Sequence, residues 1–488
     1  MTTAAKPTIG ASPPAEQWEA IAWQAIVPQV LRLQMRIAKA VREGRWGKAK
    51  CLQWLLTHSY AAKLLAVRRV TQNAGRKTAG VDGIVWRAAA QKLKAARSLQ
   101  RRRYQTLPLR RIYIPKKNGK LRPLGIPAMS CRAMQALHLQ ALEPIAETLA
   151  DPNSYGFRLK RSTADAIGQC FNALGGKHSA EWIFEADIKA CFDRLDHTWL
   201  QDHIPMDKLI LGKWLAAGYM EEGSVYPTEA GSPQGGIASP ALANMALDGL
   251  EAVARKAAPH RQKINVVRYA DDFVITGASK VVLETRVKPA VVGFLKERGL
   301  ELSEEKTRIT HIEDGFDFLG FNVRRYAGKM LIKPSKAAVK RFLDDIRELI
   351  KASATDKTAQ LIQQLNLKLS GWANYYRHVV AKRTFAYVDA QVFRALRAWI
   401  RRRHPHKSAL WKKNRYFRHI GRRQWMFFAR IRDEVGQVTC LDLFSAASLP
   451  ILRHVKVQAQ ANPYDPAYAD YFADRARRRR QAGLGAAV

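Results

Sequence analysis

Two adjacent carboxylates, Asp271 and Asp272, interrupt the run Val266-Val267-Arg268-Tyr269-Ala270-Asp271-Asp272-Phe273-Val274-Ile275, whose composition otherwise suits a β-hairpin. Burying one charge beside a sheet is costly without a partner, and two like charges side by side repel. The pair therefore makes sense with divalent metal between them, and such a site asks for a third carboxylate. The apolar strand Trp182-Ile183-Phe184-Glu185-Ala186-Asp187 supplies one, 84 residues before Asp271. Two metal ions roughly 3.5 to 4 Å apart on such ligands clamp the attacking and leaving oxygens of an in-line phosphoryl displacement. That is the chemistry of nucleotidyl transfer. The alternative is a surface hairpin with a solvated acidic tip, against which the flanking apolar residues argue.

The rest of the chain must position these groups and bring them a polyanion. It carries 82 Lys and Arg against 41 Asp and Glu, a formal charge of +41, and such self-repulsion is best tolerated beside nucleic acid. With 47% hydrophobic and 9% aromatic residues it is globular, not a disordered basic tail, and its length predicts roughly two to four domains. No apolar run of about 18 residues is present, so no membrane span is expected. The first 16 residues lack the charged and apolar regions of a secretory signal, which predicts a cytoplasmic protein, on the nucleoid when it engages DNA. Cys51, Cys131, Cys170, Cys191 and Cys440 are scattered without a C-x-x-C pair, so neither zinc nor a disulfide framework is signalled.

Residues 1–16, with Pro7, Pro13 and Pro14, read as a flexible leader. Trp18 to Thr71 has helical spacing (Val30, Leu33, Ile37, Val41) and ends in the turn-rich Thr78-Ala79-Gly80-Val81-Asp82-Gly83. From Arg97 to Arg122 there are ten basic residues and no acid, with Tyr104 and Tyr113 interleaved. A solvated face would mix signs, so Arg101, Arg102 and Arg103 are candidate RNA contacts. Strands and helices alternate between about 182 and 325, as an α+β or α/β catalytic domain requires. Ser335 should cap a new amphipathic helix carrying Val339, Phe342, Ile346 and Ile350. Between Gln391 and Trp425 lie twelve Lys or Arg, no acid and six large aromatics, a mixture suited to phosphate contact and base stacking. Arg401, Arg402 and Arg403 are its densest point. Arg475 to Arg480 reads as a disordered basic end.

Taken together, Asp187 with Phe192 five residues on, Gly231-Ser232-Pro233-Gln234-Gly235, Tyr269-Ala270-Asp271-Asp272, Gly299 to Lys306 and Phe318-Leu319-Gly320-Phe321 stand in the order seen in reverse transcriptases. The set resembles the reverse transcriptases encoded by bacterial group II introns, over nearly the whole chain. Thr78 to Gly83 looks like the N-terminal extension motif, and Leu365 to Tyr376 with the basic helix after it like the thumb and maturase region.

The resemblance implies an α+β right-hand polymerase of fingers, palm and thumb, with a helical N-terminal extension and a helical thumb/maturase domain. Its expected parts are the leader 1–16, an extension over 17–85, fingers and palm over 86–330, thumb/maturase over 331–420, and a basic DNA-binding segment over 421–488. Asp187, Asp271 and Asp272 are implied as catalytic ligands of two Mg²⁺ ions, or Mn²⁺ in their place, with the Ile188 carbonyl completing the shell. Phe192 holds the place of the ring under the incoming sugar that excludes a 2′-hydroxyl; the alternative is core packing. Arg122, with Lys116, reads as a turn-borne clamp for triphosphate or as a template contact. Gln234 and Gly235 lie in a tight turn that touches the templating pair in this family, unless it is a simple loop before a helix. Lys306 resembles the family's active-site lysine; a surface lysine after a capping box at Ser303 is its rival. The aromatic helix around Trp372, Tyr375 and Tyr376 is either core or part of a duplex- and RNA-binding thumb.

The implied activity is RNA-directed DNA synthesis with deoxynucleoside triphosphates, copying intron RNA from a DNA primer or target and assisting splicing as a maturase. A related enzyme recruited to defence or DNA repair is one alternative, and a splicing-only RNA-binding maturase is another. The carboxylate trio argues against the last. Relatives ending like Val455 to Pro466 often continue into an H-N-H endonuclease with paired cysteines, and only Cys440 lies in the last part of this sequence, so that nuclease is expected to be missing.

Overall fold

The structure, a computed structural model, describes residues 18–115, 119, 121–228, 230–231, 235–421, 423–432 and 436–481. The expected leader falls outside them. Helices Trp23–Arg42, Trp46–His58 and Tyr60–Gln72 come first. In the first of them Val30, Gln34, Ile37 and Val41 are buried at helical spacing, giving one inward stripe on an otherwise wet surface. These helices pack on Met129–Leu149, which is buried on nearly every side from Met129 to Leu142. The side-chain nitrogen of its Gln140 donates in the interior to the Ala62 carbonyl at 3.0 Å. Among the described residues no helix is long and apolar enough to cross a membrane.

A hairpin of Leu109–Pro115 and Leu121–Ile126, extended by Tyr219–Glu221 and Ser224–Tyr226, forms the fingers sheet. The palm sheet runs, in spatial order, Asn265–Tyr269, Asp272–Gly277, Trp182–Asp187, Arg308–His311, every pair antiparallel. Both its faces are covered. Phe184, Phe273 and Ile275 enter the core shared with the N-terminal helices, while Ile183, Val267 and Val274 enter a second core with Phe316 and Phe321. Successive side chains point to opposite faces, so burial on both sides makes these strands unbroken apolar runs.

Ser335 Oγ accepts from the Ala338 amide at 3.2 Å, capping Lys336–Ala352 as expected. Thr358–Tyr376 and Lys382–Arg403 complete a helical layer. That layer is not purely helical: the sheet of Phe417–Ile420, Arg423–Arg432 and Val438–Asp442 packs Phe427 and Ala429 into the same core as Leu365 and Trp399. The expected boundary at 420 therefore falls inside a hairpin, where Ile420 faces Arg423. Trp399, Tyr416 and Phe417 are buried in this core, which leaves Trp411 and Trp425 exposed. The strands were obscured in the sequence because their wet faces carry the basic residues.

Disorder at Arg475–Arg480 is overturned. Ala469–Gln481 is a helix, and Arg475 Nη2 donates to Asp165 at 2.6 Å. Asp165 is fully buried and also accepts from His454 Nε2 at 2.8 Å, the Val457 amide at 2.7 Å and Ser162 Oγ at 2.7 Å. Further links run from this tail to the front of the chain: Tyr464 donates to Glu143 at 3.0 Å, and Asp465 pairs with Arg42. A run of arginines reads as a tail when the partner of one of them lies 310 residues away.

Burial by itself would raise the Asp165 pKa, but hydrogen bonding from His454 and the charge of Arg475 win and hold it well below the usual carboxylate range. A carboxyl depressed in the folded state contributes stability that is complete above its unfolded value, about pH 4, and lost as pH falls through the native one. Asp165→Asn leaves Arg475 without its counter-charge and should cost about 3 kcal/mol at pH 7. Urea unfolding at pH 7 and at low pH checks this: the deficit should narrow in acid, and a variant as stable as wild type at pH 7 would refute it.

Candidate active site

The hairpin expected from the sequence forms, with Ala270 at φ 59° in its turn and Tyr269 paired to Asp272. Asp187 ends its own strand directly opposite Asp272. Register thus brings Asp187, Asp271 and Asp272 to one end of the palm sheet, although two of them lie 84 residues from the third.

Burial raises the Asp272 pKa to about 7, and the charges of Asp187 and Asp271 push the same way. Asp271 is raised too, chiefly by burial. A carboxylate whose charged form is disfavoured in this way binds a proton or a cation readily. Lys306 supplies one cation: its Nζ lies 2.7 Å from Asp187 Oδ2, and that bond raises the lysine's own pKa. The rival capping box is not formed, since Ser303 makes no side-chain cap. Among the described residues no three His, Cys, Asp or Glu side chains stand as a ready-made metal cage. The donor set itself, carboxylate oxygens only, suits a hard ion such as Mg²⁺.

Ile188 forms an antiparallel bridge with Leu302 whose flanking bonds are made by the Asp187 carbonyl and the Lys189 amide. In that pattern the Ile188 carbonyl points away from Leu302. Arg122, exposed beside the fingers turn, is near enough for its charge to act on Asp271. Gly235 sits at φ 111°, and a Cβ there would fall 2.6 Å from the Gly125 carbonyl, so the turn needs glycine to approach the fingers strand. Phe192 is half-buried, one side against the core and its ring 6.4 Å from that of Phe157. Lys116 and Gln234 lie outside the described residues.

Of the candidate RNA contacts, Arg102, Arg103, Arg401 and Arg402 are exposed. Arg101 is paired with Asp207. Arg403 turns inward, donating to the Asp356 carbonyl at 2.6 Å over the Trp399 ring. Tyr375 and Tyr376 hydrogen-bond the Leu319 and Gly320 carbonyls at 2.9 and 3.1 Å, joining the aromatic helix to the palm. His378 is packed beside Phe321, and burial lowers its pKa to about 4.

One group beneath the turn escaped the sequence reading. Arg268, 1% exposed, donates to Asn244 Oδ1 at 3.1 Å and to the Ala270 carbonyl at 3.4 Å, and pairs with Asp248. Asn244 in turn donates to the Gly156 carbonyl at 2.8 Å, and a Cβ on Gly156 would fall 2.4 Å from the Ala270 nitrogen. A charge inside an apolar strand was the available signal.

This palm, with its carboxylates at a hairpin tip, is that of a reverse transcriptase, an RNA-directed DNA polymerase. Residues 114–323 match the family of reverse transcriptases (RNA-dependent DNA polymerases), 18–99 the N-terminal domain of reverse transcriptase, and 339–417 the maturase-specific domain of group II introns. The chain is 33% identical to protein YkfC of Escherichia coli over 305 residues, covering 53% of this chain and 79% of that one. It is 31% identical over 394 residues to the group II intron-encoded protein LtrA of Lactococcus lactis, covering 66% and 65%. A 91 kDa protein in the cob intron of Schizosaccharomyces pombe is 25% identical over 456 residues, 76% of this chain and 56% of that one. The chain belongs to the group II intron reverse transcriptase/maturase family.

Arg268→Met should strand Asp248, whose carboxyl burial already pushes up to about 6 despite the guanidinium. We expect a loss of about 3 to 5 kcal/mol on denaturant unfolding. A loss under about 1 kcal/mol, within the range of ordinary surface changes, would show that the pair does not support the turn.

Proposed function

We propose that this protein is the RNA-directed DNA polymerase and maturase of a group II intron. It extends the 3′-hydroxyl of a DNA primer or nicked target on intron RNA, using deoxynucleoside triphosphates, and holds that RNA for splicing. The observation that carries the reading is the register that sets Asp187 opposite Asp272 with Asp271 beside it, three carboxylates gathered at one sheet end. Two Mg²⁺ ions, when bound, supply charge to the attacking and leaving oxygens of the displacement. Asp187, Asp271 and Asp272 would hold them, with the Ile188 carbonyl completing the shell.

The chain's own residues do the rest. Lys306 balances the charge of Asp187. Arg122 faces the triphosphate, where a fixed guanidinium fork suits phosphate oxygens. Phe192 lies under the sugar and leaves no room for a 2′-hydroxyl. RNA is held outside the palm, where exposed Arg401 and Arg402 lie in the same domain as Trp411 and Trp425. Lys407 and Lys413 sit over those two rings at 5.5 and 4.9 Å, which combines a phosphate contact with a stacking surface.

Asp271→Asn should abolish extension of a primed RNA template while leaving RNA affinity within about twofold, since it removes metal charge and no phosphate contact. Extension near the wild-type rate would sink the assignment. Replacing Arg401 and Arg402 with alanine should flatten the log-log salt dependence of RNA binding by about 1.5, the release expected for two phosphate contacts. Adding Arg403→Ala should lower stability without flattening it further. An unchanged slope in the double variant would mean that this helix end faces solvent.

A further inference from the structure

Phe157 is a large apolar side chain in the wrong place for one. It is 60% exposed, and its backbone lies in the left-handed region at φ 58°, where glycine or asparagine would sit with less strain. A bulky residue held there against both solvent and backbone preference points to a function. Its neighbours on both sides are held in place. Gly156 is pressed against the Ala270 nitrogen. Arg158 is buried in a pair with Glu147 at 2.8 Å and donates to the Asp151 and Ser154 carbonyls at 2.8 and 3.0 Å. The segment is thus clamped on both sides of one exposed ring, directly beside the turn that carries Asp271.

Among the described residues the ring contact of Phe157 is with Phe192, centroids 6.4 Å apart and planes at 75°, the edge-to-face arrangement that aromatic pairs prefer. Its neighbourhood includes a cavity of about 180 Å³ shared with Ile237, Pro240 and Ala241, just after the Gly235 turn. Phe192 has the core on one side and Phe157 as its ring neighbour. We propose that Phe157 is a positioning residue for sugar selection: its ring props that of Phe192 in the plane that excludes a 2′-hydroxyl. This rests on the reading that Phe192 lies under the sugar.

The test is single-nucleotide incorporation of dATP and ATP on a primed RNA template by the full chain, comparing wild type, Phe192→Val, Phe157→Ala, Phe157→Tyr and the double variant Phe192→Val/Phe157→Ala. Phe157→Ala should lower the dATP-to-ATP ratio of kcat/KM about three- to tenfold, the range set by the strength of an edge-to-face pair, with melting temperature and primer-template affinity unchanged. Phe157→Tyr should keep the wild-type ratio. Once Phe192 is trimmed, removing Phe157 should change the ratio no further. Phe157→Gly relieves the left-handed strain and serves as a second deletion of the ring if the alanine variant folds poorly. A ratio lowered by Phe192→Val but untouched by either deletion overturns the positioning role and leaves the gate standing. Ratios unchanged in Phe192→Val overturn the gate reading itself, and with it the action through Phe192. Equal loss of both nucleotides in Phe157→Ala would assign the ring to the template and likewise overturn the proposal.

Discussion

Like charge crowded at the end of a buried sheet is the constraint around which this palm is built. Among the described residues Asp187, Asp271, Asp272, Glu185 and Asp248 are acidic side chains that lie in or beside it. Two are neutralised within the protein. Glu185 accepts from Nε and Nη2 of Arg308 at 2.8 and 2.9 Å and from the Thr310 hydroxyl at 2.7 Å; Asp248 takes Arg268. The remaining three share one sheet end, where Lys306 bonds Asp187 and the charge of Arg122 reaches Asp271, and burial with the charges of Asp187 and Asp271 drives Asp272 to about 7. Pairing the two outer carboxylates with arginine leaves acceptor capacity only where a divalent ion would be wanted.

Holding that arrangement requires the turn itself to be rigid. An alanine in the left-handed region at the tip is not a stable choice locally, so the support comes from below. Arg268 fixes the Ala270 carbonyl, Asn244 fixes Gly156, and Gly156 lies close under Ala270. These residues come from three separate stretches of chain, so the turn is over-determined by tertiary structure. The helical layer is attached to the same palm by two tyrosines on successive positions of one helix and by the C-terminal strap through Asp165. Catalytic turn, thumb and N-terminal helices therefore share one continuous frame.

Much of this was legible in the sequence because it depends on local pattern. The hairpin at 265–277, the strand ending in Asp187, the capped helix at Ser335 and the helical N-terminal segment each announce themselves within a dozen residues. What stayed hidden depends on partners far apart in the chain. Arg475 looked like part of a tail until Asp165 was beside it, and Arg268 was one charge in a strand until Asn244 and Asp248 lay beneath it. The strands after Phe417 were masked for another reason: with one face wet and basic, they resemble a continuation of the cationic helix before them. Lys306 is the converse case, where local sequence offered a capping box and the fold used the lysine for Asp187.

Net charge is the property most easily misread in such a chain. An excess of 41 positive charges suggests a surface given over to phosphate, yet many arginines are spent on the interior. Arg132 donates to the Pro127 and Gly75 carbonyls at 2.9 and 3.0 Å, Arg161 to the Ala459 carbonyl at 2.7 Å, and Arg158, Arg268, Arg403 and Arg475 each tie a loop or a strand end. A guanidinium does this well because its planar fork can satisfy several carbonyls at once and keeps its charge when buried. Such cations release no counterions on binding RNA, so the salt dependence of binding must fall short of what composition suggests. Exposed cations such as Arg102, Arg103, Arg401 and Arg402 are where electrostatic contact with RNA can be strong without loosening the fold.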